Sequence, residues 1–202
     1  YRTLQRLASH SAVVGMVVAL DKNDQTFGAL DLSSIEAQLK YPLMTVSGGV
    51  TRSESVARAA EALAVISAAH SPDSKQPLKQ SSNQSLGQRW LMVHDAARPC
   101  VRHADLDHLL EQVDEQGGLL SLEVTDTLWQ QDDQGRCQKT LPRDLLRRAL
   151  TPQLFPLTAL VDALAMCHQQ NFFPTDEAQD MVHAGYRPKL VAGGGCNIKA
   201  SS

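Results

Sequence analysis

The run Trp90-Leu91-Met92-Val93-His94-Asp95-Ala96-Ala97-Arg98-Pro99 constrains this chain more than any other stretch. Its apolar half reads as a buried strand, and it stops abruptly at an acid, two alanines, an arginine and a proline. In an open α/β sheet the carboxyl end of such a strand is where ligands sit. A carboxylate there can hold a divalent cation, small residues let a nucleotide approach the backbone, and an arginine can grip phosphate. The same residues also read as a strand followed by a capped turn, with Asp95 satisfying local N–H groups. Both readings stay open on these residues alone.

Strands and helices are predicted to alternate around this segment. Ala12 to Leu20 is a β-branched, apolar run, and Leu43 to Val46 is a shorter candidate strand. Thr51 to Ala69 carries Val56, Ala60, Leu63 and Ile66 at helical spacing. Thr51 with Glu54 fits a capping box, which starts that helix immediately after Gly48-Gly49. Leu106, Leu109, Leu110 and Val113 mark another helix, ended by Gly117-Gly118, and Leu119 to Val124 returns as a strand. Leu157, Leu160, Val161 and Leu164 mark a further helix. Ala178, Met181 and Val182 mark one more, stopped by Gly185, with Pro188 to Val191 a candidate strand after it. The alternation predicts a mainly parallel sheet with helices on both faces.

Two segments break the rhythm. Ser71 to Gln88 is rich in Ser, Gln, Lys and Pro and reads as a solvated loop insertion. Asp126 to Thr140 has a turn signal, Asp132-Asp133-Gln134-Gly135, between two short polar runs, which predicts a hairpin. The 202 residues suit a single domain with a substantial core. A net charge of −3 gives no general attraction for nucleic acid or an anionic membrane, so phosphate binding must come from local basic residues. No apolar run reaches membrane-spanning length and no secretory pattern opens the chain. Cys100, Cys137, Cys167 and Cys196 are irregularly spaced, as expected of reduced cysteines in a cytoplasmic protein.

In chain order, Gly48-Gly49 with Arg52 and Ser55, His94-Asp95-Ala96-Ala97-Arg98-Pro99, Asp126-Thr127, Arg143, Leu150-Thr151-Pro152-Gln153, Thr175-Asp176-Glu177-Ala178 and Asn197-Ile198-Lys199 form a set. That set resembles the 2-C-methyl-D-erythritol 4-phosphate cytidylyltransferases of the non-mevalonate isoprenoid pathway. The resemblance implies a Rossmann-like nucleotidyltransferase fold with a projecting hairpin arm, at 126–140, that embraces a second subunit and completes its active site. It also implies a cytoplasmic homodimer that transfers a cytidylyl group from CTP to the acceptor phosphate with Mg2+. A cytidylyltransferase for another polyol phosphate, such as ribitol 5-phosphate, and a non-catalytic dimeric scaffold remain alternatives.

What the resemblance implies for single residues can be set beside their own chemistry. Asp95 is expected to hold the metal and, with Ala96, to meet the nucleotide. Lys199 is expected to place a compact positive charge beside the reacting phosphates. Arg98 and Arg143 offer forked donors for the acceptor's phosphate. Lys199 also reads as a solvated tail residue, and Arg143, close to Arg147 and Arg148, as part of a solvated helical face. Gly48 and Gly49 suit close backbone approach to a base or sugar, and Ser55 either bonds the cytosine or faces water. Val50 stands where the family has a small acidic or polar residue. Thr127, Thr151 and Thr175 are candidate hydroxyl partners for the acceptor. Thr175 equally reads as an N-cap, and Thr151-Pro152-Gln153 as an extended turn before a helix. His94 reads as a packed, hydrogen-bonded residue and not a base, because the attacking phosphate is already ionised. Tyr1 falls near the end of a Pro-Lys-Gln-Tyr stretch that follows the family's glycine-rich loop, and Lys199 falls shortly before its terminal helix. These 202 residues alone are therefore expected to lack the first strand and most triphosphate contacts, and to turn over poorly.

Overall fold

A computed structural model describes residues 1–69 and 89–200; the loop expected at 71–88 lies outside the described residues. A short helix α1 (Arg2–Ala8) leads to strand β1 (Met16–Leu20), which pairs in parallel with β2 (Leu43–Ser47). β1 begins four residues later than the apolar run predicts. The Val13 N–H closes a turn onto the His10 carbonyl at 2.9 Å, so the run's first residues are spent on a bend. A 3-10 turn (Phe27–Ala29) and a one-turn helix α2 (Ser33–Glu36) join β1 to β2.

Helix α3 (Arg52–Ala69) follows Gly48-Gly49 as the capping pattern predicts. Thr51 Oγ1 accepts from the Glu54 N–H at 3.1 Å. Glu54 Oε2 reaches back to the Val50 N–H at 2.8 Å, one residue beyond the usual capping-box partner. Val56, Ala57, Leu63 and Ala64 pack, with the buried Ala60, against the core that Phe155 and Leu160 share.

The second sheet has the order β3-β7-β4-β8. It comprises β3 (Trp90–Val93), β4 (Gly118–Glu123), β7 (Arg147–Pro156) and β8 (Lys189–Ala192). Side chains alternate across it with period two: Leu91 and Val93 face one core, Trp90 and Met92 the other, and Phe155 and Leu154 divide likewise. Helix α4 (His103–Gln112) contributes Leu109 to one face. Helices α3, α5 (Leu157–Gln169) and α6 (Glu177–His183) cover the other through Ala60, Leu160, Leu164 and Met181. Leu160 and Met181 are fully buried, each worth roughly 1.5–3 kcal/mol of transfer free energy. Helices therefore lie on both faces of an α/β fold. Among the described residues no ladder joins β1–β2 to this sheet.

The sheet is mixed rather than mainly parallel. β4 and β8 are parallel, but β7 runs antiparallel to both β3 and β4. The cause lies in the connection. After β4 the chain builds a hairpin, β5 (Leu128–Gln131) with β6 (Cys137–Leu141), and returns with no helical crossover, so the next strand must run backwards. Thr151-Pro152-Gln153 consequently lies inside β7 and is not a turn. The register shifts between Leu119 and Ser121 opposite this segment, and the Thr151–Pro152 peptide is cis. Proline, which has no N–H for the ladder, sits where the pairing is interrupted.

Gly117 closes the turn after α4 with φ +76°, a conformation glycine adopts freely, while Gly118 already belongs to β4. The paired segments of the hairpin are almost entirely exposed. No helix among the described residues is long and apolar enough to cross a membrane.

Candidate active site

Asp95 lies two residues beyond β3, at the sheet edge where the chain turns. Its N–H donates to Thr151 Oγ1 on β7 at 3.0 Å. Cationic side chains from three segments converge on its carboxylate. Arg52 Nη2, at the start of α3, lies 3.2 Å from Oδ1. Arg98 Nε and Lys199 Nζ lie 3.4 and 3.3 Å from Oδ2. Burial works to raise the Asp95 carboxyl, but the charges and hydrogen bonds of Arg52 and Lys199 outweigh it and hold the group below the ordinary range.

Lys199 is no tail residue. The Ala200 N–H donates to the Ala97 carbonyl at 2.8 Å, and Arg98 Nη1 donates to the Asn197 carbonyl at 2.8 Å. Asn197 itself is buried and its Nδ2 donates to the Thr151 carbonyl at 2.7 Å. These bonds tie the segment after β8 to the turn after β3 and put the ammonium group beside Asp95.

His94 connects the same elements. Its Nε2 lies 3.0 Å from the Arg98 carbonyl, which can only accept, so Nε2 carries the proton. Nδ1 is then the acceptor for the Thr151 hydroxyl at 3.1 Å, and that oxygen in turn accepts from Asp95 N–H. Burial pushes the imidazole below its usual range, consistent with a neutral linking group. Thr151 is itself buried, with its hydroxyl committed to this row.

At the end of β2, Gly48 and Gly49 fold against the first turn of α3. A side chain on Gly49 would collide with Glu54 Cβ at 2.1 Å. Ser55 Oγ accepts from the Gly49 N–H at 3.0 Å and donates to the Thr51 carbonyl at 3.0 Å. Val50 is almost fully exposed. The Ala96 carbonyl accepts from Thr3 Oγ1 at 2.5 Å, which docks α1 beside the turn.

Thr175 is exposed, and its Oγ1 accepts from Gln179 Nε2 at 3.1 Å. The helix cap is Asp176, whose extended backbone marks the last residue before α6 and whose Oδ1 accepts from the Gln179 N–H at 3.0 Å. Thr127 and Arg143 stand apart from Asp95, on the approaches to the hairpin. Both are exposed, and Arg143 donates to the Thr125 carbonyl. Arg143 lies in a loop before β7, not on a helical face. A cleft of 570 Å³ opens beside α1, but none of Arg52, Asp95, Arg98 and Lys199 lines it. Convergence of charge, not cavity size, marks the site.

Three contributors escaped the sequence reading. Arg52 bridges Asp95 and the buried Glu177 of α6. Gln153, buried on β7, donates to Asp176 Oδ2 at 3.2 Å and accepts from the Ala178 N–H at 2.8 Å, which fastens α6 to the sheet. Arg58 donates to the Gly48 carbonyl at 2.7 Å. Arg52 and Gln153 left a signal, their places in the Gly48-Gly49 and Leu150-Thr151-Pro152-Gln153 motifs, but no role went with it; Arg58 left none.

Comparison with known proteins identifies the family. The family model described as IspD, 2-C-methyl-D-erythritol 4-phosphate cytidylyltransferase, matches residues 75–202. A protein of that name from Haemophilus influenzae is 38% identical over 199 residues, covering 98% of this chain and 76% of the relative. One from Vibrio vulnificus is 36% identical over 202 residues, covering 98% and 75%. A crystal structure of 4-diphosphocytidyl-2C-methyl-D-erythritol synthase superposes with a TM-score of 0.75 at 28% identity, covering all of this chain and 83% of that one. The Francisella tularensis 2-C-methyl-D-erythritol 4-phosphate cytidylyltransferase gives a TM-score of 0.72 at 27% identity, covering 100% and 81%. With this fold, this convergence on Asp95 and these relatives, the chain belongs to the 2-C-methyl-D-erythritol 4-phosphate cytidylyltransferase family.

Proposed function

We propose that this chain, acting as one nucleotidyltransferase unit, transfers a cytidylyl group from CTP to 2-C-methyl-D-erythritol 4-phosphate and releases pyrophosphate, in isoprenoid precursor biosynthesis. The observation that carries the reading is the meeting of Arg52, Arg98 and Lys199 on the single carboxylate of Asp95. Three cations around one acid leave positive charge for phosphates.

In the transfer, an ionised oxygen of the acceptor phosphate attacks the α-phosphorus of CTP. A new P–O bond forms as the bond to the bridging oxygen breaks, and the electron pair leaves with pyrophosphate. Both reactants are anions, so the chain's task is to offset their repulsion and line them up. Lys199, half exposed beside Asp95, supplies a compact charge to the reacting phosphates. Arg98, held by the Asn197 carbonyl and Asp95, adds its charge on the side of the acceptor phosphate.

Among the described residues no group of three or more His, Cys, Asp or Glu side chains is placed to hold a metal. Asp95 is the carboxylate that would hold Mg2+, through Oδ2 in exchange for its contacts with Arg98 and Lys199, since Mg2+ needs only one or two protein carboxylates. When bound, the ion neutralises phosphate charge. Gly48, Gly49, Ser55 and Ala96 form the nucleotide side of the site, and Thr175 and the buried Thr151 belong to its acceptor side, Thr151 by seating Asp95. Thr127, exposed on the arm, and Arg143, exposed in the loop after it, reach the acceptor of a second copy. Support for such a homodimer comes from Trp129, 57% exposed on the hairpin, and Leu145, 95% exposed at its root. A lone hairpin is marginal in water, and docking covers such side chains. Four free cysteines accord with a reducing cytoplasm.

The test is CTP-dependent pyrophosphate release by the full-length protein, with 2-C-methyl-D-erythritol 4-phosphate and ribitol 5-phosphate offered separately. Release is expected with the first alone. Lys199→Ala should lower kcat by about 10²–10³, the usual loss for one transition-state donor. No release with the first acceptor overturns the reading, and a near-normal Lys199→Ala rate removes the lysine from it.

A further inference from the structure

We propose that Arg52 is a positioning residue that anchors Asp95 by Oδ1, and that Glu177 holds Arg52 in place for that task; this rests on reading Asp95 as the carboxylate of the nucleotide site. The two carboxylate oxygens have different company. Arg98 and Lys199 both approach Oδ2, at 3.4 and 3.3 Å, whereas Arg52 alone among them meets Oδ1, at 3.2 Å. Oδ2 is thus the face shared with the phosphate-binding cations, and Oδ1 the face that is tied down.

Aspartate needs such a tie. Its terminal torsion is broad and roughly two-fold, so nothing intrinsic to the side chain sets the plane of the carboxylate. The backbone is already fixed through Thr151, and the plane requires a second point. Arg52 provides it with a planar fork, Nη2 to Asp95 and Nη1 to Glu177. The Glu177 side chain is only 1% exposed. It sits at the first position of α6, which Gln153 clamps to β7 and whose Met181 is locked in the core. Burial, joined by the negative charge of Asp176, raises the Glu177 carboxyl above its ordinary range, against the opposing charge and hydrogen bond of Arg52. The packed core thus reaches the functional carboxylate through one glutamate and one guanidinium. A pair that merely stapled α3 to α6 would affect stability and nothing else.

The experiment uses the full-length protein with Glu177→Ala, Glu177→Gln and Arg52→Lys. Partners that orient a ligating group typically change activity about 10–100-fold, so Glu177→Ala should lower kcat/KM for CTP by that factor. Glu177→Gln, whose amide oxygen still accepts from Arg52, should recover part of the loss. Arg52→Lys should resemble Glu177→Ala, because an ammonium cannot span two carboxylates, and combining the two should add little. A readout without turnover is nitrogen NMR of the Arg52 guanidinium. Its Nη signals should be resolved by hindered rotation in the parent protein and averaged in Glu177→Ala and in Asp95→Ala. Glu177→Ala that loses stability but keeps both kcat/KM and the resolved signals overturns the proposal. Absence of CTP turnover in the parent protein sinks the proposed function instead, and the NMR result then decides this inference by itself.

Discussion

Replacing Asp180 by asparagine removes a charge that the fold buries, at nearly constant volume. Asp180 lies on α6 next to the core residue Met181 and is 1% exposed. Its Oδ1 has no hydrogen-bond partner among the described residues. Burial, reinforced by the negative charges of Glu177 and Asp176, pushes the carboxyl from 3.8 up to about 6. A folded-state value above the unfolded one means that the native protein holds this proton more tightly. The group's stabilising contribution is therefore complete below pH 3.8 and is lost as pH rises through about 6. Two units correspond to about 3 kcal/mol. Asparagine cannot ionise, so the stability difference between Asp180→Asn and the parent should climb by about 2–3 kcal/mol in the variant's favour between about pH 4 and pH 8. Burial of the amide's donors, about 1–3 kcal/mol if unpaired, sets the baseline at low pH but not the slope. Urea denaturation at closely spaced pH values and fixed protein concentration measures this directly. Two pH profiles that stay parallel refute the reasoning.

Two further substitutions probe the frame of the site. Thr151→Val keeps the shape but leaves Asp95 N–H and His94 Nδ1 without their partner, so urea denaturation should show a loss of about 1–3 kcal/mol that Thr151→Ser does not. Gly117→Ala puts a methyl group 2.3 Å from Phe155 Cδ1 at φ +76°, and a loss of about 2–4 kcal/mol should appear in the same assay. Wild-type stability in either variant contradicts the corresponding contact.

Much of this arrangement was legible in the residues, for local reasons. An apolar run ending in Asp95, and a glycine pair before a capped helix, are patterns whose cause lies within a few positions, and β3 and α3 form where they predict. Strand direction is different in kind. Leu150 to Phe155 has the same hydrophobic pattern whichever way the strand runs, and only the hairpin before it sets the antiparallel course of β7. Glu177 was hidden by plausibility: an acid in the first turn of a helix already has a reason to be there, in the dipole. Its burial and its bond to Arg52, 125 positions away, are properties of the folded chain alone. Lys199 lay in a segment with no helical or strand pattern, and what lifts it from a tail to the site is the backbone bond at Ala200 and the arginine on Asn197.

The crowding of cations on Oδ2 of Asp95 has a practical corollary for anyone handling the protein. Arg98 and Lys199 divide a single oxygen between them, so any small tetrahedral oxyanion in the medium finds partners ready. Sulfate or inorganic phosphate in a buffer should then compete with the nucleotide, and rates taken in such solutions are expected to fall below those in chloride.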